Sequence, residues 1–165
     1  MAKDSSFDIV SQVDLQEVDN AYQQATRELS QRYDLKGSGA TLDFSRKDET
    51  FTVSAPSEFT ASQVIDVLNS KLAKRQVDLK AITWDKPQGA SGMTVKQMGH
   101  IVQGIDQDIA KKIAKDIRDL KLKAKPTVEG DKLRVTSASR DTLQEIIAYL
   151  RDQDYGIPLQ FVNYR

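Results

Sequence analysis

The chain repeats itself, and the repeat constrains the fold more than any other feature. Thr50-Phe51-Thr52-Val53-Ser54 in the first half matches Lys132-Leu133-Arg134-Val135-Thr136 in the second. A turn signal precedes each, Lys47-Asp48-Glu49 and Glu129-Gly130-Asp131, so each reads as the second arm of a hairpin. The first arms are expected over residues 40–45 and 122–127. A helical stripe follows each hairpin: Val64, Ile65, Val67, Leu68 and Leu72 in one half, Ile146, Ile147 and Leu150 in the other. That spacing belongs to an amphipathic helix. Thr60 with Gln63 reads as a capping box for the first, and Ser139 or Asp141 as the cap of the second.

The match extends both ways. Val18, Tyr22, Thr26 and Leu29 share helical positions with Ile109, Ile113, Ile117 and Leu120. First strands are expected over residues 7–13 and 95–102, closing strands over 77–84 and 157–164. Each half therefore reads strand-helix-strand-strand-helix-strand. The fold class is α+β: two ferredoxin-like βαββαβ repeats, each a four-stranded antiparallel sheet with two helices on one face. Residues 85–94, with Pro87, Gly89 and Gly92, read as a linker, giving domains of residues 1–88 and 89–165.

Charge is unevenly spread over the two halves. Ten basic residues face thirteen acidic ones up to Trp84, and fourteen face eleven thereafter. A basic second half suggests an anionic partner. Alternation along its strands puts Lys132, Arg134 and Thr136, with Lys121, Lys123 and Lys125, on the face away from the helices. Lys115 and Arg118 are expected nearby. Arg gives bidentate phosphate contacts and Lys adds point charge. The competing reading is that these lysines guard an exposed edge against pairing. Arg134 is the stronger candidate, being placed on a central strand.

The central strands lack the outward aromatic side chains on which RNA-recognition motifs stack bases. Trp84 and Tyr164 are expected outward on the closing strands, either to stack a base or to cover a domain junction. The chain contains no cysteine and one histidine, His100. Neither a transition-metal site nor a thiol nucleophile is expected. Nucleophile-elbow, Walker A and Gly-x-Gly-x-x-Gly motifs are absent, so catalytic residues and cofactors are expected to be none. No signal peptide and no membrane span is expected, and a cytoplasmic location follows by default.

Six stretches, in order along the chain, resemble the YajQ family of bacterial proteins. They are Ser6-Phe7-Asp8-Ile9-Val10-Ser11, Tyr33-Asp34-Leu35-Lys36-Gly37-Ser38, Gln103-Gly104-Ile105-Asp106, Ala110-Lys111-Lys112-Ile113, Arg134-Val135-Thr136 and Pro158-Leu159-Gln160-Phe161-Val162-Asn163. The resemblance implies tandem ferredoxin-like, RNP-like domains and allows exchange of the two first strands between them. It also implies a nucleotide-binding protein, with cyclic di-GMP and RNA as the suggested ligands. Candidate ligand contacts, from charge or from position beside a loop, are Lys36, Lys121, Lys123, Arg134, Arg140 and Arg165. RNA binding through the basic sheet face, a scaffold for regulatory protein partners and a homo-oligomer are the alternatives.

Overall fold

The computed structural model describes residues 4–165. The strands are β1 (Ser5–Val10), β2 (Thr41–Ser45), β3 (Thr50–Ala55), β4 (Ile82–Trp84), β5 (Gln88–Ala90), β6 (Thr94–Ile101), β7 (Lys125–Glu129), β8 (Lys132–Ser137) and β9 (Gln160–Val162). The helices are α1 (Leu15–Gln31), α2 (Glu58–Lys74), α3 (Gln107–Asp119) and α4 (Arg140–Arg151). Each helix starts on a side-chain cap, which satisfies amide hydrogens that have no partner in the first turn. Asp14, Ser57, Asp106 and Ser139 serve α1 to α4 in turn. For α2 the cap is Ser57 rather than Thr60, because the helix begins one turn earlier than the apolar stripe indicates.

Two antiparallel sheets form, in the orders β7-β8-β1-β9 and β2-β3-β6-β4, with β5 also paired to β6. The first strand of each half thus lies in the sheet of the other. Residues 13–102 make one compact unit; residues 4–12 with 103–165 make the second. Each has its own core. Phe51, Val53, Val64, Leu68 and Leu72 centre the first, and Phe7, Ile9, Ile113, Leu133, Val135 and Ile146 the second. Phe7 and Ile9 are wholly buried in a core otherwise built from residues 105 onward.

Exchange removes the charge asymmetry. Among the described residues, the unit containing β1 holds twelve basic and twelve acidic residues, the other eleven and twelve. The basic second half is a property of linear order, not of a folded body.

At the centre of the imported strand stands Asp8, only 1% exposed, on the face away from the helices, paired in register with Arg134. Arg134 Nε donates to Asp8 Oδ1 at 2.9 Å, and Asn163 Nδ2 donates to Oδ2 at 2.8 Å. Lys132 Nζ lies 3.9 Å from the same carboxylate. Burial alone pushes this carboxyl upward, but the two hydrogen bonds and the Arg134 and Lys132 charges outweigh it and hold it below its ordinary value of 3.8.

In the other unit Trp84 points to the helix side, not outward. Its indole stacks on Phe51 at 6.1 Å between centroids, and Phe51 stacks on Phe44 at 4.9 Å. Gly99 lies opposite both Phe51 and Trp84 in the sheet, and a Cβ there would meet the indole at 2.8 Å. Glycine therefore makes room for the ring, which accounts for a glycine in the middle of a central strand. Residues 88–90, expected to be linker, pair with the start of β6. The expected strand at 122–127 forms over 125–129, since Lys121 (φ 56°) turns the chain after α3.

Gly99→Ala is expected to cost about 1–3 kcal/mol through overpacking. In Gly99→Ala/Trp84→Leu the clash disappears, so urea denaturation should show the pair costing less than the sum of the singles. Strict additivity would contradict the close approach. Arg134→Ala is expected to destabilise by about 2–3 kcal/mol, because hydrogen bonds to charged groups are worth roughly 1.5–3. Asp8 has a lowered folded-state pKa, so its contribution is complete above about pH 4. It is lost as the pH falls through the lower folded value. The stability gap between the parent and Asp8→Asn should be level from about pH 5 to 8 and shrink in stronger acid. A gap unchanged down to about pH 2 would contradict the assignment.

Candidate nucleotide site

Two chain segments with no sequence relation meet at one end of the sheet containing β1. The first is the start of α4, where Arg140, Leu143 and Gln144 stand at i, i+3 and i+4 and therefore share a face. Leu143 is buried and anchors this face to the core; Arg140 and Gln144 are exposed. The positive end of the α4 dipole, at its capped N-terminus, lies in the same place.

The second is the stretch following β9. Asp8 faces Val162 in the ladder, yet Ser6 exchanges two backbone hydrogen bonds with Arg165, at 3.0 and 3.2 Å. Asn163 and Tyr164 thus share the place opposite Phe7, which is a β-bulge. Asn163 takes the left-handed conformation this needs (φ 59°), and its amide is fastened to Asp8. A one-residue insertion flips whatever follows to the other face. Tyr164, expected outward on the open face, lies beside the core residue Phe7 instead, with ring centroids 6.3 Å apart. Phe7 is held in turn by an edge contact with Phe161 at 6.0 Å.

Between these segments lies a cavity of about 310 Å³ lined by Ser5, Ser6, Arg140, Leu143, Gln144, Tyr164 and Arg165. Its size is at the lower end of small-molecule sites, which run from roughly 300 to 1,000 Å³. Its lining residues carry two guanidinium groups, a half-exposed phenol ring, two hydroxyls and a carboxamide. Among the described residues no Asp, Glu or His side chain lines it. The arrangement suits an anion and a flat ring together.

Of the six expected contacts, the cavity unites Arg140 and Arg165. Lys36 lies in the other unit, beside an open groove of about 610 Å³ that it shares with Asp43. Lys121 and Lys123 precede β7 in the turn after α3, off the sheet face on which alternation placed them. Lys123 contributes its carbonyl there, accepting from Ser137 Oγ at 2.7 Å. Arg134 is on a central strand as expected, but it is bonded to Asp8 and lies 3.8 Å from Glu129. The face read as cationic therefore has an acid at its centre. His100 is paired with Asp85 at 2.9 Å. Within the described residues there is no metal-binding cluster, and no helix is long and apolar enough to cross a membrane.

Gln144 and Ser5 were not singled out from sequence. Gln144 was within reach, four residues after Arg140 on the same helix face. Ser5 and Ser6 were not, since only strand exchange carries them to α4.

The sequence profile of the family described as "Nucleotide-binding protein YajQ-like" matches residues 5–165. A relative named "Nucleotide-binding protein" from Desulfitobacterium hafniense (strain DSM 10664 / DCB-2) is 52% identical over the full length of both chains. Proteins of the same name from Alkaliphilus oremlandii (strain OhILAs) and Chloroherpeton thalassium (strain ATCC 35110 / GB-78) are 46% and 41% identical, again over both whole chains. With the fold, the ordered motifs and these matches in agreement, the chain belongs to the YajQ-like family.

Proposed function

We propose that the chain binds a nucleotide in the cavity between the start of α4 and the bulged end of β9, without chemically altering it. The observation that carries this reading is that Arg140 and Arg165 line one cavity with the propped ring of Tyr164, and that no Asp or Glu side chain of the described residues joins them. Guanidinium groups hold phosphate oxygens in a bidentate fork, and base stacking on an aromatic ring is worth about 1–3 kcal/mol. Ser5 and Ser6 are hydroxyls with no Asp, Glu or His side chain among the described lining residues to take a proton, which favours binding over catalysis. The names of the relatives agree with a nucleotide ligand.

The volume favours one nucleotide unit at a time. Cyclic di-GMP, implied by the family resemblance, would fit with one of its two halves in the cavity and the other outside. RNA binding through the sheet face draws less support, because Asp8 occupies the centre of that face.

Calorimetric titration with ATP, GTP and cyclic di-GMP tests the proposal. Arg140→Ala and Arg165→Ala are each expected to weaken binding about tenfold or more, from the loss of one charged hydrogen-bonding group. Tyr164→Ala should weaken it by a similar factor, whereas Tyr164→Phe, which keeps the ring, should change little. Charge reversal at Lys36, Lys121 and Lys123 should leave affinity within about twofold once salt screens the long-range field. Saturable binding indifferent to Arg140, Tyr164 and Arg165 would place recognition elsewhere.

A further inference from the structure

We infer that the groove beside β2 takes the C-terminal tail of a partner protein, added to the sheet as an extra antiparallel strand. This groove belongs to residues 13–102 and shares no residue with the nucleotide cavity. β2 is an edge strand, paired on one side only. Its free backbone groups follow from the register. Ile101 N–H donates to the Glu49 carbonyl, so every second residue from Glu49, Phe51 and Val53 included, bonds toward β6. Thr50, Thr52 and Ser54 therefore bond toward β2, to Ser45, Asp43 and Thr41. Leu42 and Phe44, between these, turn both backbone groups to the open edge. Phe44 N–H meets the Tyr22 hydroxyl, and Ala40 N–H donates to Ser38 Oγ at 3.2 Å. Leu42 keeps an N–H and a carbonyl that no described residue takes up.

The corresponding edge of the other sheet is built differently. Pro126 on β7 lies opposite Val135 as Leu42 lies opposite Val53. Proline has no N–H and guards exposed edges against pairing. The repeat thus closes one edge and leaves its counterpart open. The open edge also has room beside it, a groove of about 610 Å³ with residues of α1 on one side and of β2 on the other. Leu29, Leu35, Ala40 and Leu42 give it an apolar lining. An added strand gains affinity from main-chain bonds and specificity from pockets for alternate side chains.

Charge sets the direction of the tail and its sequence. Lys36, Gly37 and Gly39 line the groove where the chain enters β2. The N–H groups of Gly37 and Gly39 are bonded to no described residue. Free amides in a turn beside a cation suit a carboxylate. A strand antiparallel to β2 ends at this loop, so its free C-terminus meets these groups. Asp43 is exposed on the face away from the helices. It stands opposite the tail residue that precedes the partner of Leu42, and favours lysine or arginine there. The residues opposite Leu42 and Ala40 face the apolar lining. The fitting tail therefore reads basic, apolar, any residue, apolar, then the carboxylate.

The experiment measures fluorescence anisotropy of labelled pentapeptides Thr-Lys-X-Thr-X, with X as Val, Leu, Ile or Phe, on the full chain. At least one is expected to bind saturably with a Kd below about 0.1 mM. Amidating its C-terminus should weaken binding about tenfold or more, as should Lys36→Ala, each removing a charged hydrogen-bonding partner. N-methylation of the X residue opposite Leu42 deletes its bond to the Leu42 carbonyl and leaves the protein untouched. It should weaken binding by at least about fivefold. Asp43→Lys should reverse the preference between this peptide and its glutamate counterpart, Thr-Glu-X-Thr-X. No saturable binding by any of the set up to about 1 mM overturns the inference. So does binding that ignores either amidation or N-methylation. Dimerisation of the free chain that protects the Leu42 amide from hydrogen exchange would give the edge to a second copy, and overturns it as well.

Discussion

The carboxylate of Asp8 is the interaction on which the architecture of its unit turns. It arrives on a strand from the far end of the chain and is buried between two neighbours. A buried charge is tolerated only when it is paired and hydrogen-bonded. Arg134 on β8 and Asn163 after β9 meet that demand from opposite sides. The same group therefore fastens the imported strand to both flanking strands. It also holds Asn163 in the conformation that makes the bulge, and the bulge brings Tyr164 to the side of Phe7. Thus a structural ion pair on one face of the sheet sets the geometry of a cavity at its end.

The repeat, the two hairpins, the four helices and the inward faces of β3 and β8 were legible in sequence, because each rests on local periodicity. Phe51 and Val53, or Leu133 and Val135, announce their burial by alternation alone. The cavity was legible only in fragments. Arg140 and Arg165 could be named from charge and position, but their proximity depends on two events that no short window reveals. One is the exchange of β1, which the family resemblance allowed and periodicity could not test. The other is the insertion at Asn163, which reverses the side taken by Tyr164. Trp84 was misplaced for a related reason: its direction depends on a space left by Gly99 on a strand from outside its own half.

Charge counting misled in an instructive way. The excess of cations after Trp84 looked like a basic domain, yet exchange carries Asp4 and Asp8 into that unit and leaves Asp85, Lys86 and Lys96 in the other, so its described residues balance. Long-range attraction for a polyanion is then weak, and under the proposed reading recognition falls to a few groups in a defined space. In the proposed cavity two arginines and a supported ring, with no Asp or Glu side chain among the described lining residues, would supply local selectivity without a charged surface. This fits a small ligand better than an extended nucleic acid, whose binding draws on many phosphate contacts.

Photo-crosslinking with an azido-adenine nucleotide, mapped by peptide mass spectrometry, addresses the central claim most directly. Saturable labelling confined to peptides carrying Tyr164 or the first turns of α4, and competed by unlabelled nucleotide, is the result the account predicts. Competable label appearing only on peptides around Lys36, or on the β7–β8 hairpin, would contradict it.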